Sequence, residues 1–179
     1  PTDKLSCDVG PVIDSEAQAG LMAHIARMKK EAKQYKAAPA DTAVVQSDSF
    51  VVPHMFEISD IKAIGPEQFG PILHVIRYAE KDTEKVVQAI NSTGYGLTFG
   101  LQSRIIQNHI RIMPEIHAGN MYVNRNMIGA TVGVQPFGGE GLSGTGPKAG
   151  GPYYLLRFAS ERTTTINTTA IGGNLELLG

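Results

Sequence analysis

The chain has 179 residues, 42% of them apolar, with 16 Lys and Arg against 17 Asp and Glu for a formal net charge of −1. So even a balance carries no electrostatic footprint for nucleic acid or an anionic membrane. No uninterrupted apolar stretch approaches the roughly 18 residues that span a bilayer, and a single cysteine excludes an internal disulfide framework and a Cys-based structural zinc site.

The start, Pro1-Thr2-Asp3-Lys4, has neither Met nor an apolar signal region, so the chain reads as a piece of a longer polypeptide. Asp14 or Ser15 can cap a first helix, Ser15 with Gln18 matching a capping box. Leu21, Ile25, Met28 and Ala32 follow at helical spacing, and Lys29, Lys30, Lys33 and Lys36 suit the last turns. An Ala-rich loop over 37–43 precedes short strands around Ala43–Val45 and Phe50–Glu57. Leu73–Tyr78 reads as a strand. Asp82 starts a short helix with Val86, Val87 and Ile90 on one side, stopped by Gly94. Leu97–Leu101 is a strand, Ile105–His117 a helix kinked or broken at Pro114, and Asn120–Asn124 a strand. Nine glycines fall between Gly129 and Gly151 beside Val134, Phe137 and Leu142. A linker would be apolar-poor, so this is a structured loop that brings backbone close to something else. Tyr153–Ser160 reads as a short helix and Thr163–Asn167 as an exposed strand. Helices alternating with short strands argue for an α/β fold with an open, mainly parallel sheet and flanking helices.

Few residues carry obvious chemistry. Cys7 precedes Asp8, which disfavours a thiolate, and only Lys4 offers positive charge nearby, so Cys7 reads as a bystander. The five histidines, His24, His54, His74, His109 and His117, show no close metal-ligand spacing. Gly139-Glu140-Gly141-Leu142-Ser143-Gly144 spells G-x-G-x-x-G, but Thr145 to Pro152 cannot open the helix that a dinucleotide fingerprint needs. Glu67 projects from a turn flanked by Gly65-Pro66 and Gly70-Pro71. A carboxylate there can accept two hydrogen bonds from a ribose diol, with Phe69 as an apolar face for a flat ring. The same residues also suit a solvated Glu and a core Phe at a strand-start turn.

Taken together, Glu67-Gln68-Phe69-Gly70-Pro71, Asn91-Ser92-Thr93-Gly94-Tyr95-Gly96-Leu97, Gly119-Asn120-Met121-Tyr122-Val123-Asn124, Pro136-Phe137-Gly138-Gly139 and Ser143-Gly144 resemble, in order and spacing, the NAD(P)-dependent aldehyde dehydrogenases. Asp8–Asp14, Leu73–Tyr78, Asn124-Arg125-Asn126, Gly129-Ala130 and Gln135–Gly139 are similar to glutamate-semialdehyde (pyrroline-5-carboxylate) dehydrogenases. Gly144–Pro152 and Asn167–Asn174 resemble the bifunctional bacterial proline-utilisation enzymes.

The resemblance implies a cytoplasmic NAD-dependent enzyme that oxidises L-glutamate γ-semialdehyde, with FAD in a separate proline dehydrogenase domain outside this chain. A thiolate attacks the aldehyde, hydride passes to the nicotinamide, and water hydrolyses the thioester. Glu67 matches the glutamate that binds the nicotinamide ribose, and Phe69 the aromatic beside the nicotinamide. Gly129 and Ala130 match a loop whose backbone N–H groups hold the substrate α-carboxylate, and Phe137 an aromatic along the substrate's aliphatic part. The family's catalytic thiol, oxyanion-hole Asn, general base and most of the dinucleotide-binding fold precede the matched segment. No catalytic residue or metal ligand is therefore expected in this chain. Residues 1–160 correspond to the C-terminal portion of the catalytic domain. Residues 161–179 correspond to a β-arm that joins a neighbouring subunit in a homo-oligomer. A general aldehyde dehydrogenase and a non-catalytic oligomerisation module of the same fold are the competing readings.

Overall fold

In the computed structural model, which describes residues 7–40, 49–131 and 133–171, Asp14 opens helix α1 (Ser15–Glu31). Its extended backbone and carboxylate, which accepts from the Ala17 amide at 2.8 Å, cap the first turn. One face buries Leu21, His24, Ile25 and Met28 at the i, i+3, i+4, i+7 spacing. The helix ends where Ala32 turns extended. Lys33 and Lys36, expected in its last turns, therefore lie beyond it, and the Lys33 amide donates to Glu57 O at 2.8 Å.

That bond starts a strand where the last turns of the helix and the start of the Ala-rich loop were expected. Strand β1 (Gln34–Ala37) runs antiparallel to β2 (His54–Glu57), which pairs in parallel with β3 (Ile72–Val75), giving the order β1-β2-β3. The expected strand from Phe50 is shorter because Pro53 has no N–H to give a ladder; pairing begins at His54. The strand expected at Ala43–Val45 lies outside the described residues. Phe56 on β2 packs with Leu21, Ile25, Met28, Val51 and Ile58, the core of the unit formed by residues 1–94. Helix α2 (Thr83–Asn91) belongs to the same unit and stops before Gly94, at φ 75°.

Residues 95–179 form a second unit. Strand β4 (Tyr95–Gly96) pairs antiparallel with β7 (Glu140–Gly141). Strand β5 (Thr98–Leu101) pairs in parallel with β6 (Asn120–Val123). The connection between β5 and β6 carries helix α3 (Ile106–Ile112) and a 3₁₀ turn over Met113–Glu115, so Pro114 ends the α-helix rather than kinking it. Asn124 follows β6 at φ 54°, and its side-chain amide accepts from the Ser103 N–H and donates to the Ser103 C=O, both at 2.9 Å. The α/β class and parallel pairing agree with expectation. The ladders are distributed over three small sheets of three, two and two strands among the described residues.

The glycine window is ordered loop packed on itself. A Cβ on Gly119 would collide with the Gly138 carbonyl, and one on Gly139 would sit 2.6 Å from the Ser143 Cβ. The short helix expected at Tyr153–Ser160 is a 3₁₀ turn over Tyr154–Phe158. Thr163–Asn167 is exposed as expected, yet makes no ladder with the described residues. No helix among the described residues is long and apolar enough to cross a membrane.

Candidate functional site

The carboxylate turn is built from the residues before it. Asp60 caps a 3₁₀ helix over Ile61–Ile64 by accepting from the Lys62 amide at 2.9 Å. Gly65 breaks it at φ 75°, a conformation that favours glycine. The chain then bends through Pro66, with the Gln68 side-chain amide donating to the Pro66 carbonyl at 2.8 Å and the Gly70 amide to the Gln68 carbonyl at 2.9 Å. This leaves Glu67 exposed and Phe69 89% exposed. Phe69 is therefore not a core residue of this chain, while the turn does lead into strand β3 with Glu67 exposed, as the strand-start reading had it. A presented carboxylate with an apolar ring two residues away fits a vicinal diol carried beside a flat heterocycle, which is the chemistry of a nicotinamide riboside.

The turn is held from α1. Arg27 donates through Nη1 to Ala63 O at 2.9 Å and through Nη2 to Ile64 O at 3.1 Å. Leu21 fills the space where Gly70 would carry a Cβ. His24 on α1 and His74 on β3 meet Nε2 to Nε2 at 2.9 Å. Burial chiefly, then charged or titratable neighbours, pushes both imidazoles below their ordinary value. The sequence reading missed this group, because 50 residues separate the two histidines; His24 on the apolar stripe of α1 was the available signal.

The second unit holds the other expected residues. Tyr122, buried on β6, donates through its hydroxyl to Gly129 O at 2.9 Å, while the Arg125 guanidinium lies 4.5 Å from the centre of its ring. Gly129 and Ala130 are half-buried, and nothing lies within 4 Å of where a Gly129 Cβ would be. The backbone there is open to approach. Phe137 is half-buried and its backbone bridges Ala149 in both directions at 3.0 Å. Asn120 brackets it, donating to Pro136 O at 2.9 Å and accepting from the Gly138 amide at 3.0 Å. Asn120 was not singled out for this role; a polar residue on the buried face of a strand, in register with Tyr122, was the signal.

The structure thus brings Glu67 with Phe69 into one turn of the first unit, and Gly129, Ala130 and Phe137 around β6 in the second. Cys7 is half-buried, with its thiol directed at Val9 O at 3.2 Å. The G-x-G-x-x-G glycines pack against Ser143 and each other, and the Ser143 hydroxyl accepts from the Gly96 amide at 3.0 Å. Close packing accounts for Gly139 and Gly144, and a positive φ of 59° for Gly141.

The chain as a whole is similar to known proteins. Residues 1–164 match the sequence pattern of the Aldehyde dehydrogenase family. The chain is 48% identical over 163 residues to the Bifunctional protein PutA of Escherichia coli (strain K12), covering 89% of this chain and 12% of that protein. It is 37% identical over 167 residues to the 1-pyrroline-5-carboxylate dehydrogenase of Geobacillus sp. (strain WCH70), covering 92% and 31%. Among solved structures, a mutant of Bradyrhizobium japonicum Proline Utilization A superposes with a TM-score of 0.80 at 59% identity, over 90% of this chain and 16% of that one. A Thermus 1-pyrroline-5-carboxylate dehydrogenase with bound NAD superposes with a TM-score of 0.71 at 36% identity, over 84% and 29%. The chain therefore spans less than a third of the length of each of these relatives, and about an eighth of the Escherichia coli protein.

Proposed function

Because the chain belongs to the aldehyde dehydrogenase family, we propose that it is a segment of an NAD-dependent dehydrogenase that oxidises L-glutamate γ-semialdehyde to glutamate in proline catabolism. Residues 1–160 form the C-terminal portion of its catalytic domain. The observation that carries this reading is the exposed turn presenting Glu67 beside Phe69, in a chain similar to proteins named for proline utilisation and pyrroline-5-carboxylate oxidation.

NAD, when bound, would supply the acceptor for hydride from the aldehyde carbon. Glu67 would hold the ribose hydroxyls next to the nicotinamide and Phe69 would offer an apolar face to the ring. Small residues at 129 and 130 leave backbone N–H groups free to meet the substrate α-carboxylate. Arg125, over the Tyr122 ring, supplies positive charge near that loop, which favours an acidic aldehyde over a simple alkyl one. Phe137 lines the aliphatic part of the substrate.

The thiol nucleophile, the general base and the cofactor-binding βαβ units belong to the polypeptide upstream. FAD belongs to a separate proline dehydrogenase domain outside this chain, and the whole is a cytoplasmic homo-oligomer joined through residues 161–179. Purified residues 1–179 are expected to form no NADH with NAD and glutamate semialdehyde, whereas the full-length gene product forms it. Turnover by the 179-residue chain alone would refute the segment assignment. A full-length product that prefers alkyl aldehydes replaces the substrate.

A further inference from the structure

The turn carrying Glu67 has few bonds of its own, so something must hold it where a cofactor needs it. An i,i+4 ion pair to Glu31 at 2.7 Å uses part of the Arg27 guanidinium, and such a half-exposed pair alone contributes little. The other contacts are more informative. Arg27 donates to two consecutive carbonyls, Ala63 and Ile64, at the end of the 3₁₀ helix that immediately precedes Gly65-Pro66-Glu67. Carbonyls at a helix end lack partners within the helix, and a planar fork of donors suits a pair of them better than a point charge would.

The fork is itself oriented. Arg27 Nη2 lies 3.2 Å from His24 Nδ1. A guanidinium only donates, so His24 Nδ1 accepts and its proton sits on Nε2. That proton is donated to His74 Nε2 at 2.9 Å, leaving the His74 proton on Nδ1. His74 lies on β3, the strand that follows the turn. The turn is therefore fixed to α1 on both sides: at Ala63 and Ile64 before it, and at Gly70 and His74 after it, by Arg27, Leu21 and His24.

We propose that Arg27 is a positioning residue for cofactor binding, gripping the backbone ahead of Glu67 so that its carboxylate is presented at a fixed place. This rests on the dehydrogenase reading for the role of Glu67, though the grip itself does not. Arg27→Met keeps the apolar stem and removes the donors. In the full-length gene product it is expected to raise amide hydrogen exchange across residues 65–70, leaving α1 and β2 protected. It is also expected to raise the KM for NAD about tenfold while the KM for the aldehyde stays unchanged. Arg27→Lys, which keeps the charge but cannot bridge both carbonyls, falls between the two, and decides the matter if the Met variant loses protection throughout.

Unchanged exchange over 65–70 overturns the grip. Raised exchange with an unchanged KM for NAD overturns its cofactor role, as does an equal rise in both KM values. A wild-type product that forms no NADH overturns the dehydrogenase reading and the cofactor role together, while exchange still decides whether Arg27 holds the turn.

Discussion

Glu67 can do its proposed work only as a charged acceptor with two free oxygens. Glu67→Gln keeps the shape but halves the acceptors and removes the charge. The expected result is about a tenfold rise in the KM for NAD in the full-length enzyme, read by NADH absorbance, since charge-assisted hydrogen bonds are worth roughly 1.5–3 kcal/mol. Asn120 makes the opposite demand. It must donate to Pro136 O and accept at Gly138 N, so Asn120→Asp sets a carboxylate against a carbonyl. That change is expected to destabilise by about 1–3 kcal/mol in urea denaturation and to loosen Phe137. The two residues were not equally legible. The Gly and Pro flanks of Glu67 are local and announce an exposed turn. The partners of Asn120 lie 16 and 18 residues away, and only three-dimensional folding brings them to one side chain.

The strongest element in the sequence, α1, was legible in its cap region and apolar stripe because both signals lie within a few turns. Strand β1 was not. Gln34–Ala37 is exposed throughout, so no alternation marks it, and its existence depends on β2 offering an edge. The central strand β2 was legible within the strand expected around Phe50–Glu57, although two of its four residues are polar: His54 rests on Val52 O at 2.7 Å, and Glu57 takes bonds from Gln34 and Arg77. Of its two large apolar residues Met55 is half-buried and Phe56 fully buried, and Phe56→Ala is expected to cost about 3–5 kcal/mol, measured as a fall in the denaturation midpoint. At the β5–β6 pair the sensitive point is backbone proximity. Gly119→Ala forces the Gly138 carbonyl away and is expected to cost about 1–3 kcal/mol.

For the molecule as a whole, acid acts through two separate windows. His24 and His74 hold folded-state pKa values below the ordinary one of about 6.5. Burial is the first cause for each; Arg27 adds to both and His74 to His24, while Glu31 opposes at His24. The unfolded chain then binds protons first, so stability is full above about pH 6.5 and declines as pH drops below it. Glu57 works in the lower window. The Gln34 amide first, and then Arg77, hold its carboxyl below the usual range, so its contribution is present at neutral pH and is lost as pH falls below about 4.5. The urea midpoint is expected to drop between pH 7 and 5.5, and replacing both histidines by Gln flattens that limb. A midpoint independent of pH there refutes the assignment. Assembly belongs to the same scale. Thr163–Asn167 is mostly β-branched, exposed and without a ladder among the described residues, which leaves its backbone available to a neighbour. If the proposed homo-oligomer forms through this arm, truncation after Phe158 is expected to leave a monomer by light scattering, and an unchanged mass refutes the arm. The sequence pattern alone could suggest that arm, because edge character is compositional, but the distribution of ladders over three sheets depends on pairings that no single segment encodes.

The residue after β6 shows how narrow a substitution can be made by two unrelated demands. Asn124 donates its backbone amide to Leu101 O at 2.9 Å and, at φ 54°, extends the β5–β6 pairing by a further rung through its side chain, which stands in for a peptide group opposite Ser103. Glycine would satisfy the turn and lose the rung. Aspartate would satisfy the Ser103 N–H and repel the Ser103 carbonyl. The position therefore admits amide chemistry and left-handed geometry only in combination.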